Sequence, residues 1–440
     1  MYKKGIAAVL YNTSTGRGVP VYMMPAPSER SSRMLLIFLT LLVAHSVFGQ
    51  QSSGSVNVHN ILQQDSTTHY EDGIPNSLRR FIRWAPKAEL HVHVEGTLEP
   101  EMMMRFAERN GIPPPYPSVQ AARAAYNFTD LEHFLQIFYA GCAVLRTRDD
   151  FYELAMAYFR RAATSRVIHA EVSFDPQTHL SNGVEFDTFM GGLVDAAMDA
   201  EEQWAITVSY IMCFRRDMPL ESAEVALRLA LPWRHRIVAV GLDSSELRRP
   251  PRDFASLFDR AAALGFKRTA HVGEEGSPEY IWQALQLLHV DRLDHGTHCL
   301  DDPRLMAALN ASRVPLTICP ISDLQLKVYD GQLQERLGQL IHSGLMVTVN
   351  SDAAAYFGSY LAGNYEWLST AVGLDVRQAA RLVANGFQAA FSLPEGQRRR
   401  MVDTVRQLAE AAEAEDKAGG KQGEADVEGS SRRRLLTLRG

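Results

Sequence analysis

Four side chains that can bind a metal ion each stand at or near the end of a short apolar run. They are His91 and His93, early in the folded part of the chain, and His271 and Asp352, much later. Alternate side chains of a β-strand face the same way, so His91 and His93 project together. Each residue alone has an ordinary explanation, such as a core histidine or an aspartate that caps a helix. Together, three imidazole nitrogens and one carboxylate oxygen predict a zinc site with water in the remaining position.

A zinc site of this kind predicts hydrolysis, and two further residues could assist it. Bound zinc lowers the pKa of water from about 15.7 to about 7, which gives a nucleophile at neutral pH. Glu274 lies three residues after His271 and is a candidate proton donor or shuttle. Its neighbour Glu275 illustrates the alternative explanation. A glutamate at a helix N-terminus is stabilised by the helix dipole, whether or not it takes part in catalysis. His295 ends another apolar run and could orient the water or stabilise a developing negative charge.

The fourth predicted strand bears on the number of metal ions. Two-metal barrel hydrolases usually carry a bridging lysine or carboxylate at the end of that strand. Here the corresponding run, residues 240–246, contains no lysine but does contain Asp243 and Glu246. The run therefore favours one zinc ion per chain and leaves a second one open.

Eight short segments rich in Val and Ile alternate with segments of helical periodicity. The predicted strands span residues 89–94, 167–174, 206–213, 237–243, 268–271, 292–295, 316–319 and 347–352. Helical periodicity marks residues 130–159, 218–229, 254–264, 280–288, 303–311, 333–342, 366–372 and 376–390. This alternation predicts parallel strands joined by crossover helices.

The pattern fits an α/β fold, a (β/α)₈ TIM barrel over residues 81–408. The stretch 98–161 is too long for one crossover, so we expect extra helices over the barrel mouth. An open, doubly wound sheet is the main structural rival, and it also places active residues at the carboxyl ends of strands. The barrel is favoured because the candidate residues follow the first, fifth, sixth and eighth strands. In a closed barrel the first and eighth strands are neighbours.

Composition indicates a globular protein without a nucleic-acid partner. The 440 residues are 46% hydrophobic and 22% charged, the formal net charge is -6, and no sustained basic stripe is present. The four cysteines are far apart and lack the CxxC spacing of a structural zinc site. We therefore expect reduced thiols in the core at Cys142, Cys213, Cys299 and Cys319.

The two ends of the chain differ from the predicted barrel. Residues 1–80 form an N-terminal extension with an apolar run, 34–49, and a polar linker, 51–76. Arg30 and Arg33 precede the apolar run, which is too short to span a bilayer and has the layout of a signal peptide. The segment of 33 residues before the apolar run is long for the first part of a signal peptide. The sequence therefore does not decide whether residues 34–49 direct the protein to the secretory pathway. Residues 409–440 lack apolar surface and predict a disordered tail after a final helix.

At these motifs the chain resembles the adenosine and adenine deaminase family of zinc-dependent amidohydrolase barrels. Residues 86–100 (PKAELHVHVEGTLEP), 271–276 (HVGEEG), 294–296 (DHG) and 350–352 (NSD) match four signatures of the family. The runs 95–97, 174–179, 241–246 and 356–358 are more similar to adenine deaminases than to adenosine deaminases. The resemblance extends from about residue 86 to residue 390.

The resemblance implies a reaction and a role for each candidate residue. The four metal-binding candidates would hold one zinc ion per chain. Glu274 would donate a proton to a ring nitrogen of a purine, and His295 would assist the nucleophile. The implied reaction converts adenine to hypoxanthine and ammonia, a step of purine salvage. The implied compartment is the cytoplasm, with the nucleus and secretory entry through residues 34–49 as the alternatives.

Two positions depart from the family pattern. Family members usually have a second aspartate after the metal-binding one, which binds N7 of the purine, and here Ala353 occupies that position. Asp323 stands where asparagine is usual. The departure at Ala353 favours two alternatives to adenine deamination. One is a deaminase of a modified aminopurine, a pterin or adenosine, and the other is a non-catalytic zinc- or purine-binding protein. Tyr356 and Phe357 are candidates for a purine-binding wall, with core packing as the alternative.

Overall fold

The computed structural model describes residues 74–329 and 331–436, with side chains described as far as Glu415 except at position 248. The N-terminal extension predicted over residues 1–80, including the signal-like run 34–49, therefore lies almost wholly outside the described residues. None of the described helices combines the length and the apolar character needed to cross a membrane.

Eight parallel strands form one sheet in which each strand pairs with the next along the chain. The strands are β1 (Lys87–His93), β2 (Val167–Phe174), β3 (Thr207–Arg215), β4 (Ile237–Asp243), β5 (Lys267–Val272), β6 (Arg292–His295), β7 (Leu316–Ile318) and β8 (Val347–Val349). A parallel bridge between Val92 and Asp352 joins β1 to the segment after β8. Two backbone hydrogen bonds make this closure: the N–H of Asp352 donates to His91, and the N–H of His93 donates to Asp352, at 3.0 and 3.1 Å. The predicted TIM barrel is confirmed.

The strand predictions were most accurate where turn residues bound the apolar run. The bounds of β2, β4 and β6 agree with the predicted ones. The prediction for β8 was too long, because regular pairing ends at Val349 and Asp352 lies beyond it. Asp352 has a φ of 59°, in the left-handed region, so the chain turns sharply at the residue that closes the barrel.

Seventeen α-helices surround the barrel in the described part of the chain. They are α1 (Asn76–Trp84), α2 (Pro100–Arg109), α3 (Val119–Ala125), α4 (Leu131–Cys142), α5 (Arg148–Thr164), α6 (Pro176–Ser181), α7 (Phe186–Trp204), α8 (Leu220–Ala230), α9 (Ala255–Ala263), α10 (Pro278–Gln283), α11 (Pro303–Ser312), α12 (Pro320–Gln325), α13 (Leu333–His342), α14 (Ala354–Phe357), α15 (Leu361–Val372), α16 (Val376–Ala389) and α17 (Glu395–Leu436). Four of them, α2 to α5, lie between β1 and β2, where extra helices were expected.

The stretch of helical periodicity over residues 130–159 forms two helices, because a capping box divides it into α4 and α5. The hydroxyl of Thr147 accepts a hydrogen bond from the N–H of Asp150, at 3.2 Å. The carboxylate of Asp150 accepts one in return from the N–H of Thr147, at 2.7 Å. These reciprocal bonds satisfy the free N–H groups of a new helix start. Helical periodicity continues across the break, so periodicity alone did not reveal it.

The first part of α17 packs on the barrel. Ala409 and Ala412 are buried, so packing continues past residue 408, the predicted end of the domain. The disordered tail predicted for residues 409–440 stays a prediction. All four cysteines are free and buried, which confirms the expectation of reduced core thiols.

A buried ion pair crosses the barrel interior near the start of β6. Nη1 of Arg292 lies 2.7 Å from Oε2 of Glu171, and both side chains are fully buried. Arg292 also donates to the carbonyl of Leu90, at 3.0 Å, and Glu171 accepts from the N–H of Ser392, also at 3.0 Å. Burial by itself would raise the pKa of Glu171, but the charge of Arg292 and the side-chain hydrogen bonds from His169 and Arg292 lower it to about 2. The pair therefore joins β1, β2, β6 and the segment before α17.

Removing one partner of this pair should destabilise the fold strongly. We expect Glu171→Ala to lower the free energy of unfolding by about 3–5 kcal/mol, because it leaves Arg292 buried and unpaired. Because the folded pKa lies below the unfolded value, the contribution of Glu171 is present above about pH 4.5 and is lost as the pH falls toward 2. Denaturant unfolding of both proteins measures the difference.

A matched control is Glu101→Ala, which removes an exposed ion pair. Glu101 lies 2.7 Å from Arg123, and the two side chains are 54% and 52% exposed. Solvent screening limits the expected loss to less than about 1 kcal/mol. Equal losses in the two variants would contradict the structural role given to Glu171.

Candidate metal centre and active site

The structure brings the four predicted metal-binding side chains together at the carboxyl ends of the strands. Nε2 of His271 lies 3.1 Å from Nε2 of His91 and 3.1 Å from Nε2 of His93. Oδ1 of Asp352 lies 3.6 and 3.7 Å from the same two nitrogens of His91 and His93. Tetrahedral zinc with ligands at about 2.0–2.1 Å separates its ligand atoms by about 3.3 Å. The spacing and the donor types therefore suit a divalent metal ion.

The protonation of this cluster also suits a metal ion. All four residues are buried. Burial and the neighbouring imidazoles hold the pKa of His91 and His271 well below the usual value. Neutral imidazoles have a free lone pair on one nitrogen, which is the form that coordinates a metal.

Hydrogen bonds from neighbouring strands orient the cluster. Nδ1 of His91 lies 2.9 Å from the hydroxyl of Thr317, which donates to Asp294, also at 2.9 Å. Ser322 donates to Oδ2 of Asp352, at 2.6 Å, which leaves Oδ1 directed at the imidazoles. Such partners fix the ring and carboxylate orientations of metal ligands. Sequence reasoning missed them, because serine and threonine follow many strands and carry no distinctive spacing.

Glu274 and His295, the two predicted catalytic residues, lie side by side next to the cluster. Oε2 of Glu274 is 3.7 Å from Nε2 of His295, and Oδ1 of Asp323 is 3.6 Å from the other ring nitrogen. Burial raises the pKa of Glu274 to about 8, which favours the protonated carboxyl group at neutral pH. Burial would lower the pKa of His295, but the negative charges of Glu274 and Asp323, when these groups are ionised, raise it above the usual value. The two side chains therefore offer an exchangeable proton beside the metal cluster, held by the carboxyl group or by the imidazole.

Glu246 holds the loop that carries Glu274. Its carboxylate accepts hydrogen bonds from four consecutive backbone N–H groups: Gly273 at 2.6 Å, Glu274 at 3.1 Å, Glu275 at 3.0 Å and Gly276 at 2.9 Å. Gly273 has a φ of 70°, which favours glycine there. The sequence left Glu246 open as a ligand of a second metal ion, but both of its oxygens are bonded to this loop.

Asp243, the other residue left open for a second metal ion, lies beside the cluster. Its Oδ2 is 3.8 Å from Nδ1 of His93. His93, Asp175, Cys213 and Asp243 form a further group of potential ligands whose atoms lie within 4.8 Å of one another. This group shares His93 with the first cluster.

A cavity of about 410 Å³, part of it open to solvent, lies directly over the cluster. One wall is built by α4, which confirms that an added helix covers the barrel mouth. The apolar and aromatic residues of that wall are Leu131, Phe134, Leu135, Phe138 and Tyr139. The opposite side carries His271, Asp352, Glu274 and His295. Apolar walls with a few placed polar groups are typical of a site for a small planar molecule.

Tyr356 and Phe357, the candidates for a purine-binding wall, do not line the cavity. Both are buried behind it, with ring centroids 6.0 and 4.8 Å from that of Phe134. The core-packing alternative is therefore confirmed for this pair. Their rings support α4, whose own aromatic residues form the wall.

Ala353 does line the cavity, and it offers no polar atom there. The backbone at Ala353 packs closely against Gly96, because a Cβ at Gly96 would lie 2.5 Å from Cα of Ala353. The glycine of the opening signature therefore allows the segment after β8 to approach β1. A carboxylate that would bind a purine from this position is absent from the chain.

A cluster of three histidines and one carboxylate at the mouth of a (β/α)₈ barrel, beside a glutamate whose pKa is raised by burial, is typical of hydrolases of the barrel type that use a divalent metal ion. The chain belongs to the adenosine deaminase family, whose model, described as "Adenosine deaminase", matches residues 86–408.

Curated relatives and solved structures agree with this membership. The chain is similar to the adenine deaminase of Cupriavidus necator, with 48% identity over 72% of this chain and 91% of the relative. It is 46% identical to the adenine deaminase of Acinetobacter baylyi over 74% of this chain and 98% of the relative. The crystal structure of adenine deaminase from Arthrobacter aurescens superposes with a TM-score of 0.72 and 42% identity, covering 74% of this chain and 99% of that one.

A more distant structure shares the fold. An amidohydrolase from Burkholderia ambifaria, solved with bound Zn, superposes with a TM-score of 0.72 at 24% identity, covering 78% of this chain and 96% of that one. At this identity the likeness supports the barrel fold alone.

The role of Glu246 leads to a test that does not depend on activity. We expect Glu246→Ala to raise the hydrogen-exchange rates of the amides of residues 273–276 at least about 100-fold. The reason is that four N–H groups lose a charged acceptor, and each such bond contributes about 1.5–3 kcal/mol. Hydrogen exchange followed by mass spectrometry measures the rates.

Glu275→Gln is the matched control, because it changes a side chain of the same loop and keeps its backbone bond to Glu246. Exchange in this variant should stay within about threefold of the unaltered protein. Unchanged exchange in Glu246→Ala would show that the loop is held by other contacts.

Proposed function

We propose that the protein is a zinc-dependent aminohydrolase that converts adenine and water to hypoxanthine and ammonia. The observation that carries the proposal is the position of Glu274, whose pKa is raised to about 8 by burial, in the same cavity as three of the four clustered ligands, His93, His271 and Asp352. Two curated adenine deaminases with 46–48% identity support the choice of adenine. The reaction would recover the purine ring of adenine as hypoxanthine, a step of purine salvage.

The proposed cofactor is one zinc ion per chain, held by His91, His93, His271 and Asp352. Three imidazoles and a carboxylate match the ligand preference of zinc. When bound, zinc lowers the pKa of a coordinated water to about 7, which supplies a nucleophile at neutral pH. One ion is favoured because Glu246 is bonded to backbone amides.

The residues around the cluster would supply the acid–base chemistry. Glu274 donates its proton to N1 of the purine, which makes C6 electron-poor and open to addition. His295 lies between Glu274 and Asp323 and stabilises the negative charge of the incoming oxygen. After addition at C6, the proton of the added hydroxyl group is transferred to the exocyclic nitrogen, which leaves as ammonia while C6 becomes a carbonyl. The proton lost by the attacking water restores the acid form of Glu274. The aromatic wall of α4 keeps the ring stacked and limits water in the cavity.

A second candidate function is favoured by Ala353. Because the cavity lacks a carboxylate at that position, the substrate could be a modified aminopurine, a pterin or adenosine. The non-catalytic alternative has less support, since a zinc- or purine-binding protein has no need for Glu274 and His295 beside the ligands.

The cytoplasm is the proposed compartment, on the basis of the family. The comparisons give no support to the nuclear or the secretory alternative, and the segment that suggested secretion lies outside the described residues.

The first test compares two neighbouring glutamates. The purified protein should release ammonia from adenine and carry close to one zinc ion per chain. Glu274→Gln should lower kcat for adenine by about 10²–10⁴-fold with zinc retained, because it removes the acidic proton and keeps the size of the side chain. Coupled ammonia release and metal analysis measure both quantities.

Glu275→Gln is the control for this test, and its kcat should stay within about threefold. An unaltered protein that carries zinc and releases no ammonia from adenine would refute the proposed function. Equal activity of both variants would refute the role of Glu274.

The second test concerns the substrate. If adenine is the native substrate, the protein recognises it without a carboxylate at position 353. Ala353→Asp should then change kcat/KM for adenine by less than about tenfold. A rise of about 100-fold or more would favour one of the alternative substrates. Steady-state kinetics of both proteins with adenine, adenosine and N6-methyladenine decide between these outcomes.

A further inference from the structure

The pairing of β4 with β5 stops short of the metal cluster. β3 pairs with β4, and β5 pairs with β6, up to the carboxyl ends of these strands. The pairing of β4 with β5 ends earlier, at Val240 and Arg268. Continuing the same register places Asp243 level with His271, a residue of the metal cluster. The backbone ladder therefore does not fix the distance between β4 and β5 where His271 lies.

The side chain of Arg216, which follows β3, crosses this gap in the pairing. Its Nε donates to the carbonyl oxygen of Asp243, at 3.1 Å, and its Nη2 donates to the carbonyl oxygen of His271. Nη2 also lies 3.5 Å from the carbonyl oxygen of Leu242. A guanidinium group carries five N–H donors in a rigid plane. One side chain thus binds the carboxyl ends of both strands, at the level where they do not pair with each other.

Arg216 is a buried cation without a carboxylate partner. It is fully buried, like Arg292, but Arg292 is paired with Glu171, whereas Arg216 forms no ion pair among the described residues. A buried charge that is bound by carbonyl groups alone is costly, so stability is a weak reason for an arginine here. Arg216 is also not among the residues that line the cavity, so it does not meet the substrate. Its contacts with the two strands are what remain for it to do.

Glu246 connects the same two strands through the opposite kind of group. It follows β4, and its carboxylate accepts from the backbone amides of residues 273–276, which follow β5. Arg216 therefore holds carbonyl groups at the end of β5, and Glu246 holds amides of the loop after it. The first contact acts on the backbone of His271, and the second acts on the backbone of Glu274.

We propose that Arg216 is a positioning residue that fixes the backbone of His271, and with it the imidazole, relative to the other metal-binding side chains. This rests on the proposed zinc site. His91 and His93 both belong to β1, so His271 is the imidazole that has to be brought to them by another strand. Its Nε2 lies 3.1 Å from Nε2 of each. A shift of β5 away from β4 would change both distances.

Arg216→Lys tests the assignment, because it keeps the positive charge and removes the planar set of donors. We expect the Kd for zinc to rise at least about tenfold, as for other residues that orient metal ligands. The visible absorption spectrum of the cobalt-substituted protein should also change, since it reports the geometry of the ligands. Chelator competition and spectroscopy measure these quantities without turnover, under conditions in which circular dichroism shows a folded protein.

Two controls separate positioning from a general loss of stability. Arg249→Lys makes the same replacement at an arginine that donates to the carbonyl of Met218, at 3.0 Å, in the segment after β3. Tyr210→Phe removes a buried hydrogen bond from β3 to the carbonyl of Leu193 in α7. In both variants the Kd for zinc should stay within about threefold of the unaltered protein, and the cobalt spectrum should be unchanged.

An unchanged Kd and cobalt spectrum in Arg216→Lys would overturn the assignment. Equal changes in Tyr210→Phe would also overturn it, because lost stability would then explain them. If Arg216→Lys does not fold, Arg216→Gln serves as the second variant. It removes the buried charge and can still reach one carbonyl group, and the same changes in Kd and spectrum are expected.

The results also distinguish this assignment from the proposed function. A protein that deaminates adenine and binds zinc equally well with lysine at position 216 keeps the proposed function and loses the assignment. A protein that binds zinc, loses affinity in Arg216→Lys and releases no ammonia from adenine loses the proposed function and keeps the assignment.

Discussion

The site depends on the backbone pairing that joins the first strand to the segment after the eighth. Asp352 donates its N–H to the carbonyl of His91 and accepts from the N–H of His93. These two hydrogen bonds close the barrel, and they also set the carboxylate of Asp352 beside the imidazoles of both neighbours. An open sheet would separate the first strand from the eighth and divide the cluster. The same two hydrogen bonds therefore close the barrel and assemble the metal cluster.

The barrel also has to accommodate several buried carboxyl groups, and it does so in different ways. Glu171 is neutralised by the guanidinium of Arg292, and Glu246 by four backbone amides. Glu274 has only His295 nearby, at 3.7 Å, and burial outweighs the effect of that imidazole and raises the pKa of Glu274 to about 8. A carboxyl group that is buried without a strong neutralising partner is costly to ionise, and for that reason it can act as an acid near neutral pH.

Much of the fold could be predicted because its signals are local. Alternation of Val- and Ile-rich runs with helical periodicity is visible in any short window, and it located all eight strands. The departures arose where specific hydrogen bonds, one set local and the other tertiary, override the periodic pattern. Thr147 and Asp150 start a new helix within one periodic stretch, and Asp352 leaves the strand in order to pair with β1. The aromatic pair after β8 was open to two interpretations, since hydrophobic character does not tell a ligand wall from the core behind it.

The sequence by itself determined which side chains could bind a metal and which could donate a proton, because residue type and position after a strand are properties of the chain alone. The tertiary structure decided what each carboxyl group does. It assigned Glu246 to the loop of residues 273–276, paired Glu171 with Arg292 and placed α4 over the mouth. The physical reason is that burial and hydrogen-bond partners set the protonation and the availability of a group, and the partners come from segments far apart in the chain.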